Sequence, residues 1–198
     1  MSKTIYKELR MIDNKVLQIF NDEWAESPRE WDNLGTMDIF HRSYNFGDKV
    51  NFSSDDFNSW TEMEKYLIND LDAAVVLPIY MYDHSGITIN TTGFSCPWDS
   101  GQIGFIYVTK QEVRDNYKVK RITNKLRDKV EKVLEDEVKT MDYYVTGEVY
   151  GYQVIKRSLE EGQVREEILD SCSGFYGNDF EKNGIADYVD TDSLIDKL

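Results

Sequence analysis

The stretch Ala73-Ala74-Val75-Val76-Leu77-Pro78-Ile79-Tyr80-Met81-Tyr82 decides the fold class. It is dense in Val, Leu, Ile and Tyr, the composition of a central strand. Asp83-His84-Ser85-Gly86 follows and reads as a tight turn. Ile87 to Thr92 then alternates apolar side chains with Thr and Asn, and Gly101 to Thr109 carries Ile103, Phe105, Ile106, Tyr107 and Val108. Strands joined by such short turns run antiparallel.

Working outward, Ile5 to Ile12 and Val16 to Trp24 flank the polar turn Asp13-Asn14-Lys15 and predict a hairpin. Ser27-Pro28-Arg29-Glu30 places Pro28 where a first helical residue sits, and Gly35 to Phe40 reads as a short strand. Ser53 or Ser54 is placed to cap a helix running to Leu71, with Phe57, Trp60, Met63 or Glu64, Leu67, Ile68 and Leu71 on its apolar face. Downstream, Lys110 to Tyr117 predicts a short helix. The repeat Ile122, Leu126, Val130, Val133 or Leu134, Val138, Met141 predicts a long amphipathic one that Gly147 ends. Glu148 to Lys156 and Arg165 to Cys172 close the pattern as a second hairpin. The expectation is an α+β fold: a mostly antiparallel sheet with one long amphipathic helix and shorter helices. Its 198 residues predict a single domain over 1–198, with an acidic tail at about 178–198 and a last short helix near Asp192 to Leu198.

The chain has 37 Asp/Glu against 23 Lys/Arg, a net charge of −14. A field of that sign repels phosphate and suits a basic protein partner. The charge is uneven. Residues 110–132 hold nine Lys/Arg against four Asp/Glu, whereas 166–198 hold nine Asp/Glu against two Lys and 51–72 hold six against one. The acidic zones nominate Asp55, Asp56, Glu62, Glu64, Asp179, Glu181, Asp187, Asp190 and Asp192 as partner-binding residues. Direct nucleic-acid contact is not expected, the segment Lys120 to Lys132 excepted, where interleaved acids count against it. Four tryptophans and thirteen tyrosines are expected chiefly in the core. Tyr143, Tyr144, Tyr150 and Tyr152 are the alternative anchor patch.

The residues with reactive side chains sit at strand ends. His84 with Asp83, Cys96, Asp99 and Ser100 is the one set from which a hydrolase or guide-RNA nuclease would be built: His84 as base, Cys96 or Ser100 as nucleophile, Asp83 or Asp99 as orienter. The competing expectation is a turn histidine and small buried cysteines. Cys96 and Cys172 do not make a disulfide framework, so a reducing cytoplasm is expected. Two Cys and two His (His41, His84) without a CxxC or HxxxH pair predict no metal site. Gly101-Gln102-Ile103-Gly104 matches no phosphate or dinucleotide loop, so no cofactor is expected. No apolar run approaches the roughly 20 residues of a membrane helix, and the N-terminus has no signal-peptide core.

Four runs carry a resemblance: Arg29-Glu30-Trp31-Asp32-Asn33-Leu34-Gly35-Thr36-Met37, His84-Ser85-Gly86, the run from Ser95-Cys96-Pro97-Trp98-Asp99-Ser100-Gly101 to Val108, and Asp170 to Gly177. Together they resemble a family of small acidic proteins carried by phages, plasmids and integrated elements of Gram-positive bacteria. The resemblance covers about residues 27–177, and its Cys-Pro-Trp-Asp-Ser-Gly run is specific. It implies an anti-defence role, including anti-CRISPR inhibition, in a bacterial cytoplasm. The chain departs from the pattern at Ser173, where the family carries an aromatic.

Overall fold

The computed structural model describes residues 4–197, which divide into two compact units where the sequence predicts one domain. The first unit comprises the N-terminal residues to Glu26 together with Gly147 onward, and the second Ser27–Thr146. Each is built on its own four-stranded antiparallel sheet.

In the first unit, β1 (Ile5–Arg10) and β2 (Lys15–Asn21) form the expected hairpin, pairing Leu9 with Leu17 and Arg10 with Val16. Asp13 and Asn14 both have positive φ, the backbone of a tight turn matched to strand twist. β7 (Val149–Glu160) adds to β2, and β8 (Gln163–Tyr176) adds to β7, giving the order β1-β2-β7-β8. One face of this sheet gathers Leu9, Leu17, Ile19, Tyr150, Tyr152 and Phe175 into a core. Tyr150 and Tyr152 therefore lie inside, as expected of most aromatics.

The C-terminal segment is folded onto that core. Phe180, Ile185 and Val189 are buried in it and Leu194 packs against it. The segment carries α4 (Ile185–Tyr188), a single helical turn, and a 3₁₀ turn at Thr191–Ser193, where the sequence predicts helix to Leu198. Leu198 lies outside the described residues. Backbone bonds from Ile12 N to Ser193 O and from Ile195 N to Arg10 O tie the segment to β1, each at 2.9 Å. Asp196 reinforces them by accepting from the Arg10 backbone and guanidinium at 2.8–3.0 Å.

The second unit orders its strands β3-β6-β4-β5, with β3 at Thr36–Ile39, β4 at Ala73–Asp83, β5 at Ile87–Asn90 and β6 at Ser100–Thr109. Strand alternation sends neighbouring side chains of β6 to opposite faces. Ile106 and Val108 enter a cluster with Val130, Leu134, Val138 and Met141 of the long helix α3 (Asn124–Val145). Phe105 and Tyr107 enter another with Met63 and Leu67 of α1 (Trp60–Asn69). The short helix α2 (Lys110–Tyr117) carries a capping box between Thr109 and Glu112.

Two details differ from the sequence reading. Helix α1 is capped by Ser59, whose hydroxyl accepts from Glu62 N at 3.2 Å. Ser53 instead closes a capping box with Asp56 on a separate 3₁₀ turn, Ser54–Asp56. Both serines precede an acidic residue three positions on, so each has the local signal, and the 3₁₀ turn is followed by an extended Phe57 that breaks the run. In β6, Gly104 allows β3 to approach. A Cβ there would stand 1.8 Å from the Asp38 carbonyl. Gly104 thus answers a packing need, whereas a Cβ at Gly101 would meet nothing within 4 Å.

Candidate functional site

The β4–β5 turn and the loop before β6 bring the reactive candidates together at one end of the second unit's sheet. Ser85 at φ 61° and Gly86 at φ 150° make the turn, which His84 N closes onto Gly86 O at 3.1 Å. Asp83 N donates to Asp99 O at 2.8 Å, joining turn and loop. Asp99 is the centre of the group: its Oδ2 accepts from Cys96 Sγ at 3.5 Å and lies 3.8 Å from His84 Nδ1.

This arrangement differs from a nucleophile–base–orienter relay in its order. The carboxylate stands between thiol and imidazole, so the proton of Cys96 is directed to Asp99 and not to His84. Ser100 donates its hydroxyl to the Cys96 carbonyl, a bond that shapes the loop. Asp83 contributes through its backbone. His84 is exposed on the surface beside the ring of Tyr82, 6.2 Å away. The group is a hydrogen-bonded loop junction with an imidazole on its rim.

The same loop presents Trp98 at 91% exposure, and Trp24 in the first unit is 82% exposed. Trp31 is exposed as well, so the expectation that most tryptophans lie in the core fails. The flanks of Trp98 and Trp24, Cys-Pro-Trp-Asp and Asn-Asp-Glu-Trp, lack the apolar periodicity that places Trp60 against Phe105 at 5.9 Å.

The acidic candidates are all exposed, and several also have a local duty. Asp56 accepts from Ser53 N at 2.8 Å. Glu62 accepts from both Asn58 N and Asn58 Nδ2, which hold its carboxyl below the usual carboxylate range. Asp55 and Glu64 accompany them on the second unit. On the first unit, Asp179 pairs with Lys182 across one turn at 2.6 Å, and Asp190 accepts from the Ser193 hydroxyl. Glu181, Asp187 and Asp192 are exposed between buried residues of the same segment: Phe180, Ile185, Val189 and Ser193. The segment nominated as an acidic tail is therefore a fixed acidic plate with its apolar side turned in.

The basic segment belongs to α3 and its approach. Lys129 stands over the Tyr117 ring at 5.0 Å, and Arg127 donates to the Ala74 carbonyl. Thr123, Lys125, Leu126, Asp128, Lys129 and Lys132 line a shallow depression of about 530 Å³. Asp128 and Glu131 break up the positive field along it, as the sequence implies.

Sequence reasoning passed over two features. Arg29, almost wholly buried, bonds Asp48 at 2.6 and 3.1 Å, Glu137 at 3.1 Å and Gly35 O at 2.6 Å. Glu137 in turn accepts from the amides of Leu34 and Gly35. The run 29–37 thus wraps a carboxylate of α3, and no local pattern foretells a partner 108 residues away. The second feature is Asp38, fully buried in β3 with neither carboxylate oxygen hydrogen-bonded among the described residues. Burial first, and then the neighbouring Asp48, raise it to about 7.

Among the described residues, no three His, Cys, Asp or Glu side chains are grouped so as to hold a metal ion, and no helix is long and apolar enough to cross a membrane. Comparison with protein-family models, curated proteins and solved structures finds no match to this chain.

Proposed function

We propose that this chain is an anti-defence inhibitor from a mobile genetic element, acting by binding. Its target is a basic, nucleic-acid-handling host protein, in the first instance a CRISPR effector nuclease. The observation that carries the reading is the acidic plate of the C-terminal segment. Asp179, Glu181, Asp187, Asp190 and Asp192 are exposed, and the residues between them are anchored in a core. Carboxylates on a pinned backbone pay little ordering entropy on binding, and like charge excludes the anionic polymer that a basic groove normally holds. The junction around Asp99 supports this reading over turnover, because Cys96 is hydrogen-bonded to the carboxylate and not to the imidazole.

Titration of the purified chain against a type II effector nuclease, read as target cleavage, tests it. Inhibition is expected to reach its end point near one copy per effector and to be unchanged in His84→Ala. Time-dependent loss of guide RNA at substoichiometric amounts, abolished by His84→Ala, would instead assign a catalyst. A general base contributes about 10²–10⁴ in rate, so the two outcomes are well separated.

A further inference from the structure

We propose that the outer edge of β8 is a homodimerisation surface, on which a second copy of this chain pairs antiparallel about Glu166. The strand is at the end of its sheet, and residues 163–174 are exposed along their whole length. Val164 and Ile168 are 67% and 60% exposed there, and Leu159 opposite Val164 on β7 is exposed too. An uncovered edge of this length is a template for another strand.

The turn fixes which backbone groups are on offer. Glu161 and Gly162 both have positive φ and form a two-residue loop between the paired Glu160 and Gln163. In such a loop the flanking pair is hydrogen-bonded and pairs alternate from it. The N–H and C=O groups of Val164, Glu166 and Ile168 therefore point away from β7. A strand added antiparallel about Glu166 meets that spacing on both copies.

The side chains then decide the occupant. The run Val164-Arg165-Glu166-Glu167-Ile168 is close to self-complementary when read in reverse. Pairing about Glu166 sets Val164 against Ile168 of the second copy, and Arg165 against Glu167 of the second copy, each twice. The one like-charge pair is Glu166 with itself. Each Glu166 is bonded by Arg157 at 2.8 Å, which offsets part of that repulsion, the same guanidinium also holding Glu8. Arg165 is held near the site by Glu160 at 3.1 Å and is 70% exposed, so it is available to a second carboxylate. Cross-strand pairs of opposite charge and of apolar residues are what stabilise a sheet. The contact is independent of the inhibitory reading above and needs no host protein.

Sedimentation velocity from micromolar to millimolar concentration tests the proposal. The chain is expected to dimerise, and the amides of Val164, Glu166 and Ile168 to gain hydrogen-exchange protection as concentration rises. Arg165→Glu alone and Glu167→Arg alone should each weaken the dimer about tenfold, and the two together should restore it. A chain that stays monomeric throughout overturns the proposal, as does a dimer unmoved by the single reversals. These side chains are exposed, so circular dichroism is expected to show unchanged folding. Should a variant misfold, the exchange pattern of the unaltered chain still decides: protection absent from Val164, Glu166 and Ile168 rejects the edge.

Discussion

Asp38 is a fully buried carboxyl with no hydrogen-bond partner among the described residues. Its carboxyl has no donor within the second unit and faces Asp48, while its backbone lies against Gly104 of β6. A group whose folded value stands at about 7, against 3.8 ordinarily, keeps its proton in the folded chain through a range where the unfolded chain has lost it. The folded state thus binds more protons between about pH 4 and 7. Stability falls as pH rises through that window and levels off above it. Asp38→Asn keeps the shape and removes the charge. It is expected to flatten the pH dependence and to raise stability at pH 8 by roughly 2–4 kcal/mol, read from urea denaturation at several pH values. A variant whose pH profile parallels the parent would show that Asp38 is already solvated. None of this is legible in the sequence, where Asp38 sits in Thr-Met-Asp-Ile with no sign of which neighbours surround it. His84, Cys96, Asp99 and Ser100 were identifiable as a set because turn residues advertise a loop cluster. The order of thiol, carboxylate and imidazole within it depends on loop geometry that spacing does not encode.

At the scale of elements, α3 follows directly from its apolar repeat. Val130, Leu134, Val138 and Met141 are all buried; of the charged positions between them, Glu137 turns to Arg29 and the Leu34 and Gly35 amides, and Lys132 lines the shallow depression. Leu134→Ala is expected to cost about 2–5 kcal/mol in a denaturation experiment. Lys125→Ala, at an exposed position, should stay within about 0.5 kcal/mol. Similar losses from both would mean that the apolar stripe does not form the core of the second unit. The second hairpin is longer than its sequence pattern, which ends at Lys156 and resumes at Arg165, whereas pairing runs on to Glu160 and Gln163. Strand patterns are recognised through one-sided burial. Residues 157–165 are largely exposed on both faces, so backbone pairing and the Glu161-Gly162 turn maintain the hairpin without an alternating signal.

At the scale of the whole molecule, net charge and its unevenness are read directly from composition, but the division into two units is not. The N-terminal hairpin and the C-terminal quarter share one sheet, with 120 residues of the other unit inserted between Glu26 and Gly147. A linear reading has no means of pairing strands across such an insertion, since its local signals describe neighbours only. The acidic zones make a prediction at this scale. Binding to a basic effector should weaken steeply between low and physiological salt, because exposed charges are screened beyond about 8–10 Å. Charge reversal at Glu181, Asp187 and Asp192 together should weaken it further. Surface plasmon resonance across a salt series checks both, and an affinity indifferent to salt and to the reversals would remove the plate as the contact face.

The C-terminal segment has a second effect through the bonds it makes with β1. Residues 193–196 occupy the outer side of Arg10 and Ile12, part of one of the two margins at which the first unit's sheet can be extended. The C-terminal segment thus takes the Arg10–Ile12 part of that margin, where a further strand would otherwise add. A copy added at β8 presents the same part-covered margin, which disfavours propagation into filaments. Cutting the chain back before Asp190 would reopen the blocked margin, and light scattering of the shortened protein is expected to rise with time where that of the intact chain stays flat.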